Sequence, residues 1–108
     1  MMIDVSDRIP IDQGKLRQFC RKWDAQELSL FGSVLRDDFG YASDVDVLVA
    51  FRPGARHTIF DVIRMEEELS ELLNRKVDLV EKRAIERSEN HFRRRAILDN
   101  SQVLIDVE

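Results

Sequence analysis

The chain's most concentrated chemistry lies at Asp44-Val45-Asp46. Residues two apart on a strand share a face, with Cα atoms about 6.6 Å apart. Two carboxylates held that close repel, and a divalent cation offsets the repulsion. Magnesium takes oxygen ligands and keeps positions for substrate phosphates, so it suits such a pair. Alone the pattern is weak. With 21 acidic residues in 108, chance gives roughly four acid-x-acid triplets, and a solvated strand edge is the plainer reading of any one of them. Gly32-Ser33 adds a second part. A strand that ends in glycine and turns into a helix presents free N–H groups to an anion, and the serine hydroxyl adds a donor. Arg36, one helical turn on, reaches the same phosphates unless it is an ordinary surface arginine paired with Asp37 or Asp38. Asp78 is the third part. It interrupts the apolar run Val77-Asp78-Leu79-Val80, where burial without a partner is costly, and its bland alternative is an edge-strand charge. If its strand lies beside that of Asp44, three carboxylates converge as two-metal phosphoryl transfer requires. One ion then activates the attacking hydroxyl, the other stabilises the leaving oxygen, and a carboxylate takes the proton.

These residues need elements to hold them. Residues 11–23 carry Leu16, Phe19, Cys20 and Trp23 at spacings of three and four, which predicts a helix after Pro10. Residues 27–31 read as a short strand stopping at Gly32-Ser33, followed by a short helix or turn through Arg36 and a polar loop over 37–43. Residues 44–51 alternate, with Val45, Val47, Val49 and Phe51 on one face and Asp44, Asp46, Leu48 and Ala50 on the other. Arg52-Pro53-Gly54 ends that strand. Thr58 and Asp61 form a capping box for a helix whose expected buried stripe is Ile59, Val62, Met65, Leu69 and Leu72. Asn74-Arg75-Lys76 closes it, with cations where the helix dipole favours them. Residues 77–80 form a third strand, 89–98 a last helix and 103–105 a possible fourth strand. The order implies a layered α+β or α/β fold within one domain of 108 residues.

Composition narrows the functions. Hydrophobic residues make up 44% and charged residues 35%, enough for a core with a soluble surface. A net charge of −4 argues against general, charge-driven binding to nucleic acid. Cys20 is the single cysteine, so no internal disulfide forms, and a reducing cytoplasm fits best. The N-terminus shows no secretion signal, and no apolar run approaches the roughly 18 residues that span a bilayer.

Taken together, Leu30-Phe31-Gly32-Ser33, then Ser43-Asp44-Val45-Asp46-Val47-Leu48-Val49, then Lys76-Val77-Asp78-Leu79-Val80-Glu81 resemble the nucleotidyltransferase (polymerase-beta-like) superfamily. The chain is most similar to its smallest branch, the MNT-domain antitoxins of HEPN–MNT pairs, and the likeness continues through Phe51-Arg52-Pro53-Gly54 and Glu66-Glu67-Glu68-Leu69. It departs at Asp37, where members often carry glycine after the arginine matching Arg36, which leaves open how that arginine is aimed. The resemblance implies a small mixed sheet with helices on one face and the acidic site on the other. By the same resemblance Asp44, Asp46 and Asp78 are the catalytic, metal-holding set for two Mg2+ ions, and Asp78 helps to deprotonate the acceptor. Gly32, Ser33, Arg36 and Ser43 are the nucleotide-binding set for ATP, attacked at its α-phosphorus with release of pyrophosphate. The acceptor it implies is a tyrosine hydroxyl of a partner HEPN toxin, which receives AMP, in a hetero-oligomer in the cytoplasm. Two alternatives remain: an antitoxin that neutralises its partner by binding only, and a transferase acting on small molecules of the aminoglycoside type.

Other features carry less. Arg93-Arg94-Arg95, with Arg87 and His91, form a basic end that suits an acidic partner or the nucleotide but reads first as a solvated helix face. His57 and His91 are expected at the surface. Trp23, Tyr41 and Phe60 are expected in packing, with Tyr41 as a secondary candidate to lie against a nucleotide.

Overall fold

Helix α1, Gln13–Trp23, forms because Asp12 caps it, its side chain accepting the Lys15 N–H at 3.1 Å, and because Leu16, Phe19 and Cys20 bury one stripe. The structure is a computed structural model that describes residues 5–40 and 42–107. The helix stops at Asp24, which takes the left-handed conformation, and β1, Ala25–Phe31, follows directly. A 3-10 turn, Gly32–Leu35, leads to a polar loop and then to β2, Val45–Phe51. Helix α2, Ile59–Leu73, begins with both hydrogen bonds of the Thr58–Asp61 box in place. After β3, Val77–Glu81, come a five-residue helix α3, Lys82–Glu86, then α4, His91–Leu98, and finally β4, Gln102–Asp106.

The sheet runs β3-β2-β1-β4, with β2 and β3 parallel and the other two pairings antiparallel. A parallel pair needs a crossover, and α2 provides it. The mixed α+β architecture is as the sequence implies. Helices α1 and α2 cover the face that carries Leu28, Leu30, Val45, Val47, Val49, Val77 and Leu79, and Met65, Leu69 and Leu73 bury fully against it. The opposite face is not bare. Leu48, Ile85 and Ile97 make a smaller cluster there, with Phe31, Val80 and Leu98 packed on it, so the short α3 and α4 stand beside the acidic positions. The chain order thus includes α3, which the sequence reading passed over because five residues are too few to display a helical period.

Two expected packing positions fall elsewhere. Ile59 and Phe60, in the first turn of α2, are each 71% exposed, whereas Leu73, left out of the expected stripe, is buried at the other end of the helix. Trp23 does pack, and its Nε1 donates to Glu68 Oε2 at 2.8 Å while Lys22 bonds the other carboxylate oxygen, tying α1 to α2. His57 is half-buried, with its ring 4.2 Å from that of Phe51. Tyr41 lies outside the described residues.

Strand β3 is a sheet edge, and edges present unpaired N–H groups. Here α2 covers them. Ser70 Oγ accepts the Val77 N–H at 3.0 Å, and Glu66 Oε2 accepts the Leu79 N–H at 2.9 Å, one on each side of Asp78. Removing an acceptor from a part-buried donor costs about 1–3 kcal/mol. Glu66→Ala is therefore expected to lower unfolding free energy by that amount in urea titration, whereas Glu67→Ala, at an exposed position of the same helix, stays within about 0.5 kcal/mol of the parent.

Candidate active site

Registry brings the acids together. Asp46 on β2 is paired with Asp78 on β3 and with Phe31 on β1, so the two carboxylates leave the same face of neighbouring strands. Adjacent strands lie about 4.8 Å apart. Asp44, two residues before Asp46, precedes β2 by one position and falls on the same side by alternation. Asp46 is half-buried, while Asp44 and Asp78 are exposed. Burial, then the like charges of Asp78 and Asp44, raise the Asp46 carboxyl above the ordinary aspartate range, and Arg36 pulls in the opposite direction. All four groups therefore share one electrostatic neighbourhood.

Gly32 closes this neighbourhood from β1. Its φ is +76°, and a Cβ built on it would lie 2.2 Å from Asp46 Oδ2. Any other residue would meet both a left-handed backbone and the carboxylate itself. The glycine is thus required by Asp46 as well as by the turn. Ser33 is half-buried within the 3-10 turn, and its carbonyl accepts the Arg36 N–H at 2.9 Å. Arg36 lines the cleft beside Asp46, and its Nε is 3.1 Å from Asp38 Oδ1, so it has both of the fates that the sequence allows. Ser43 serves the loop, its Oγ accepting the Gly40 N–H at 3.0 Å.

The loop before β2 is held by residues that no local pattern singles out. Arg8 donates to the carbonyls of Val34, at 3.0 Å, and of Arg36. Arg75, just past α2, donates to the carbonyls of Gly40 and of Ser43, the latter at 3.2 Å. Both guanidiniums lie over the Phe39 ring, Arg8 at 5.8 Å and Arg75 at 4.4 Å from its centroid. Phe39 is therefore the peg, and the two arginines are the ties that set the path from Gly32 to Asp44. That path holds although Asp37 stands where a glycine was expected. The contacts join residues at least 26 positions apart, which hides them from any reading by spacing.

A cleft of about 760 Å³ opens beside Asp46, walled by Phe31, Gly32 and Leu35 on one side and by Arg93, Ala96 and Ile97 of α4 on the other. Ligand sites run to about 300–1,000 Å³. Among the described residues no three His, Cys, Asp or Glu side chains are already gathered closely enough to hold a metal ion unaided. Magnesium asks less than that, since it uses one or two carboxylates and completes its shell with water and substrate phosphates. The all-oxygen donor set and the mutual repulsion at Asp46 fit such an ion.

Residues 14–104 match the nucleotidyltransferase domain model. The chain is 36% identical over 59 residues to "Putative protein adenylyltransferase MJ0435" of Methanocaldococcus jannaschii, a match that covers 55% of this chain and only 61% of that relative. Among solved structures, a "putative minimal nucleotidyltransferase" is 30% identical, with a TM-score of 0.58, over 85% of this chain and 95% of that one. A toxin-antitoxin crystallised with AMP-PNP shares the fold, with a TM-score of 0.65 at 20% identity, over 91% of this chain and 76% of that one. Among the described residues no helix is long and apolar enough to cross a membrane.

Two predictions follow from the Gly32–Asp46 contact. A raised folded-state pKa means that ionised Asp46 costs stability once the pH exceeds that pKa, and that the cost disappears below the unfolded value. Asp46→Asn should therefore raise the melting temperature at pH 7, with the gain vanishing as pH falls below about 3.9. Gly32→Ala should cost at least about 1–2 kcal/mol from backbone conformation alone. It should cost less in an Asp46→Ala background, where the clash is gone, giving a coupling of about 0.5–3 kcal/mol in a double-mutant cycle.

Proposed function

This chain belongs to the nucleotidyltransferase domain family, and from that premise we propose that it transfers AMP from ATP to a tyrosine hydroxyl of a partner HEPN toxin, acting as its antitoxin. The observation that carries the reading is the Asp46–Asp78 register, with Gly32 seated against the Asp46 carboxylate. Asp44, Asp46 and Asp78 would hold two magnesium ions, which supply Lewis-acid polarisation of the phosphates when bound.

The chain's own residues do the rest. The turn at Gly32-Ser33 receives the triphosphate, with the glycine letting backbone and phosphate approach. Arg36 lines the same cleft and places a guanidinium against phosphate oxygens. Ser43 completes the nucleotide set through the loop whose hydrogen bonds it closes. Asp78, exposed at the sheet edge, would accept the proton of an incoming hydroxyl, with half-buried Asp46 beside it holding a metal ion against the phosphates. The exposure of Asp78 also supports an acceptor that arrives on another protein. The relative named as a protein adenylyltransferase and the toxin-antitoxin of the same fold point in that direction.

The test is transfer of label from α-labelled ATP to a co-expressed HEPN-type partner in the presence of magnesium. Asp44→Asn with Asp46→Asn is expected to lower transfer about 100-fold or more, the scale seen when electrostatic stabilisation is removed from a reaction. EDTA should abolish transfer and excess magnesium restore it. Undiminished labelling by the double variant would sink the mechanism. Full rescue from the partner's toxicity by a variant that transfers nothing would assign neutralisation to binding alone.

A further inference from the structure

Three consecutive arginines on α4 meet three different fates. Arg94 is spent locally, donating to the Glu86 carbonyl at 3.4 Å and lying 2.9 Å from His91 Nδ1. Arg95 is exposed and stands apart from the cleft. Arg93 lines the cleft together with Gly32, Arg36 and Asp46. Its position is set by helix phase: Arg93, Ala96, Ile97 and Asn100 fall at i, i+3, i+4 and i+7 and share one face. Ile97 on that face is buried with Leu48 and Ile85, which anchors α4 to the sheet and holds Arg93 at the cleft wall.

Among the described residues the Arg93 guanidinium makes no ion pair and no hydrogen bond. Arg36 enters the cleft from the turn after β1 and Arg93 from α4, so the two line it from different elements. Two guanidiniums thus line a space bordered by a glycine turn, and that of Arg93 has nothing to bind among the described residues. Guanidinium pairs with phosphate oxygens through charge-assisted, often bidentate bonds.

We propose that Arg93 binds the β- and γ-phosphoryl groups of the nucleoside triphosphate, from the α4 side of the cleft, and so acts on the leaving group of the transfer. This rests on the nucleotidyltransferase reading given above. In that transfer the acceptor oxygen bonds to the α-phosphorus and its proton passes to a carboxylate. The bond from the α-phosphorus to the bridging oxygen breaks, and its electron pair leaves with pyrophosphate. Arg93 holds the charge that accumulates there, and it selects triphosphates over monophosphates before any bond is made.

The experiment compares magnesium-dependent binding of AMP-PNP and of AMP to the full chain and to Arg93→Gln, Arg93→Lys and Arg95→Gln. Loss of a charged hydrogen bond is worth about 10- to 100-fold in affinity. Arg93→Gln is expected to weaken AMP-PNP by that factor and AMP by less than about twofold. Arg93→Lys should retain part of the affinity, and Arg95→Gln all of it. Equal weakening of both ligands would place Arg93 on the nucleoside and overturn the proposal, as would an unchanged affinity for AMP-PNP. Parent protein that binds no AMP-PNP would instead overturn the nucleotide reading itself, and this inference with it.

Discussion

The Asp46 carboxylate occupies the space that a side chain at position 32 would need. An ideal Cβ on Gly32 would lie 2.2 Å from its Oδ2. The contact joins the end of β1 to the start of β2, and the antiparallel register between those strands places it there. The glycine turn and the acid motif are therefore one structural unit. A change that moves either part moves the other, and the cleft lined by Phe31, Arg36 and Arg93 takes its floor from their contact.

Holding that unit together is costly. Partial burial of Asp46, and then the charges of Asp78 and Asp44 beside it, make its ionised form costly to hold there. The opposing stabilisation comes from the other sheet face, where Leu28, Leu30, Val45, Val47 and Val49 bury against α1 and α2. Glu66 and Ser70 stabilise in a second way. They accept the outward N–H groups of Leu79 and Val77, tying β3 to α2, and Asp78 sits between the two anchored residues. Sites that store electrostatic strain need such rigid backing, because a looser strand would relieve the repulsion by moving apart.

The loop between Gly32 and Asp44 is secured differently. Its first turn buries Val34 in the core, and the polar stretch that follows is tied by cation–π contacts and carbonyl hydrogen bonds, with Arg8 and Arg75 closing on Phe39 from two distant segments. Arg36 both lines the cleft and pairs with Asp38. One face of the molecule thus carries an acidic centre bounded by basic side chains, which is the charge pattern that a metal–triphosphate substrate complements.

Local order was legible in the residues themselves. Alternation over 44–51 set which face Asp46 leaves, the Thr58–Asp61 spacing set where α2 begins, and the apolar neighbours of Asp78 set its direction. Those properties depend on periods of two and 3.6 and on caps a few residues long, so spacing suffices to find them. Ile59 and Phe60 are exposed although the helical period places Ile59 on the buried stripe, and the five residues of α3 are too few to show a period at all. Only the tertiary structure decided that Asp78 lies beside Asp46, that Gly32 is shaped by a carboxylate 14 positions away, that Arg8 and Arg75 share one ring, and that Arg93 alone of the three consecutive arginines reaches the cleft. Each of these is a contact between segments whose separation along the chain bears no relation to their separation in space, and strand pairing and helix docking, which no local pattern encodes, create it.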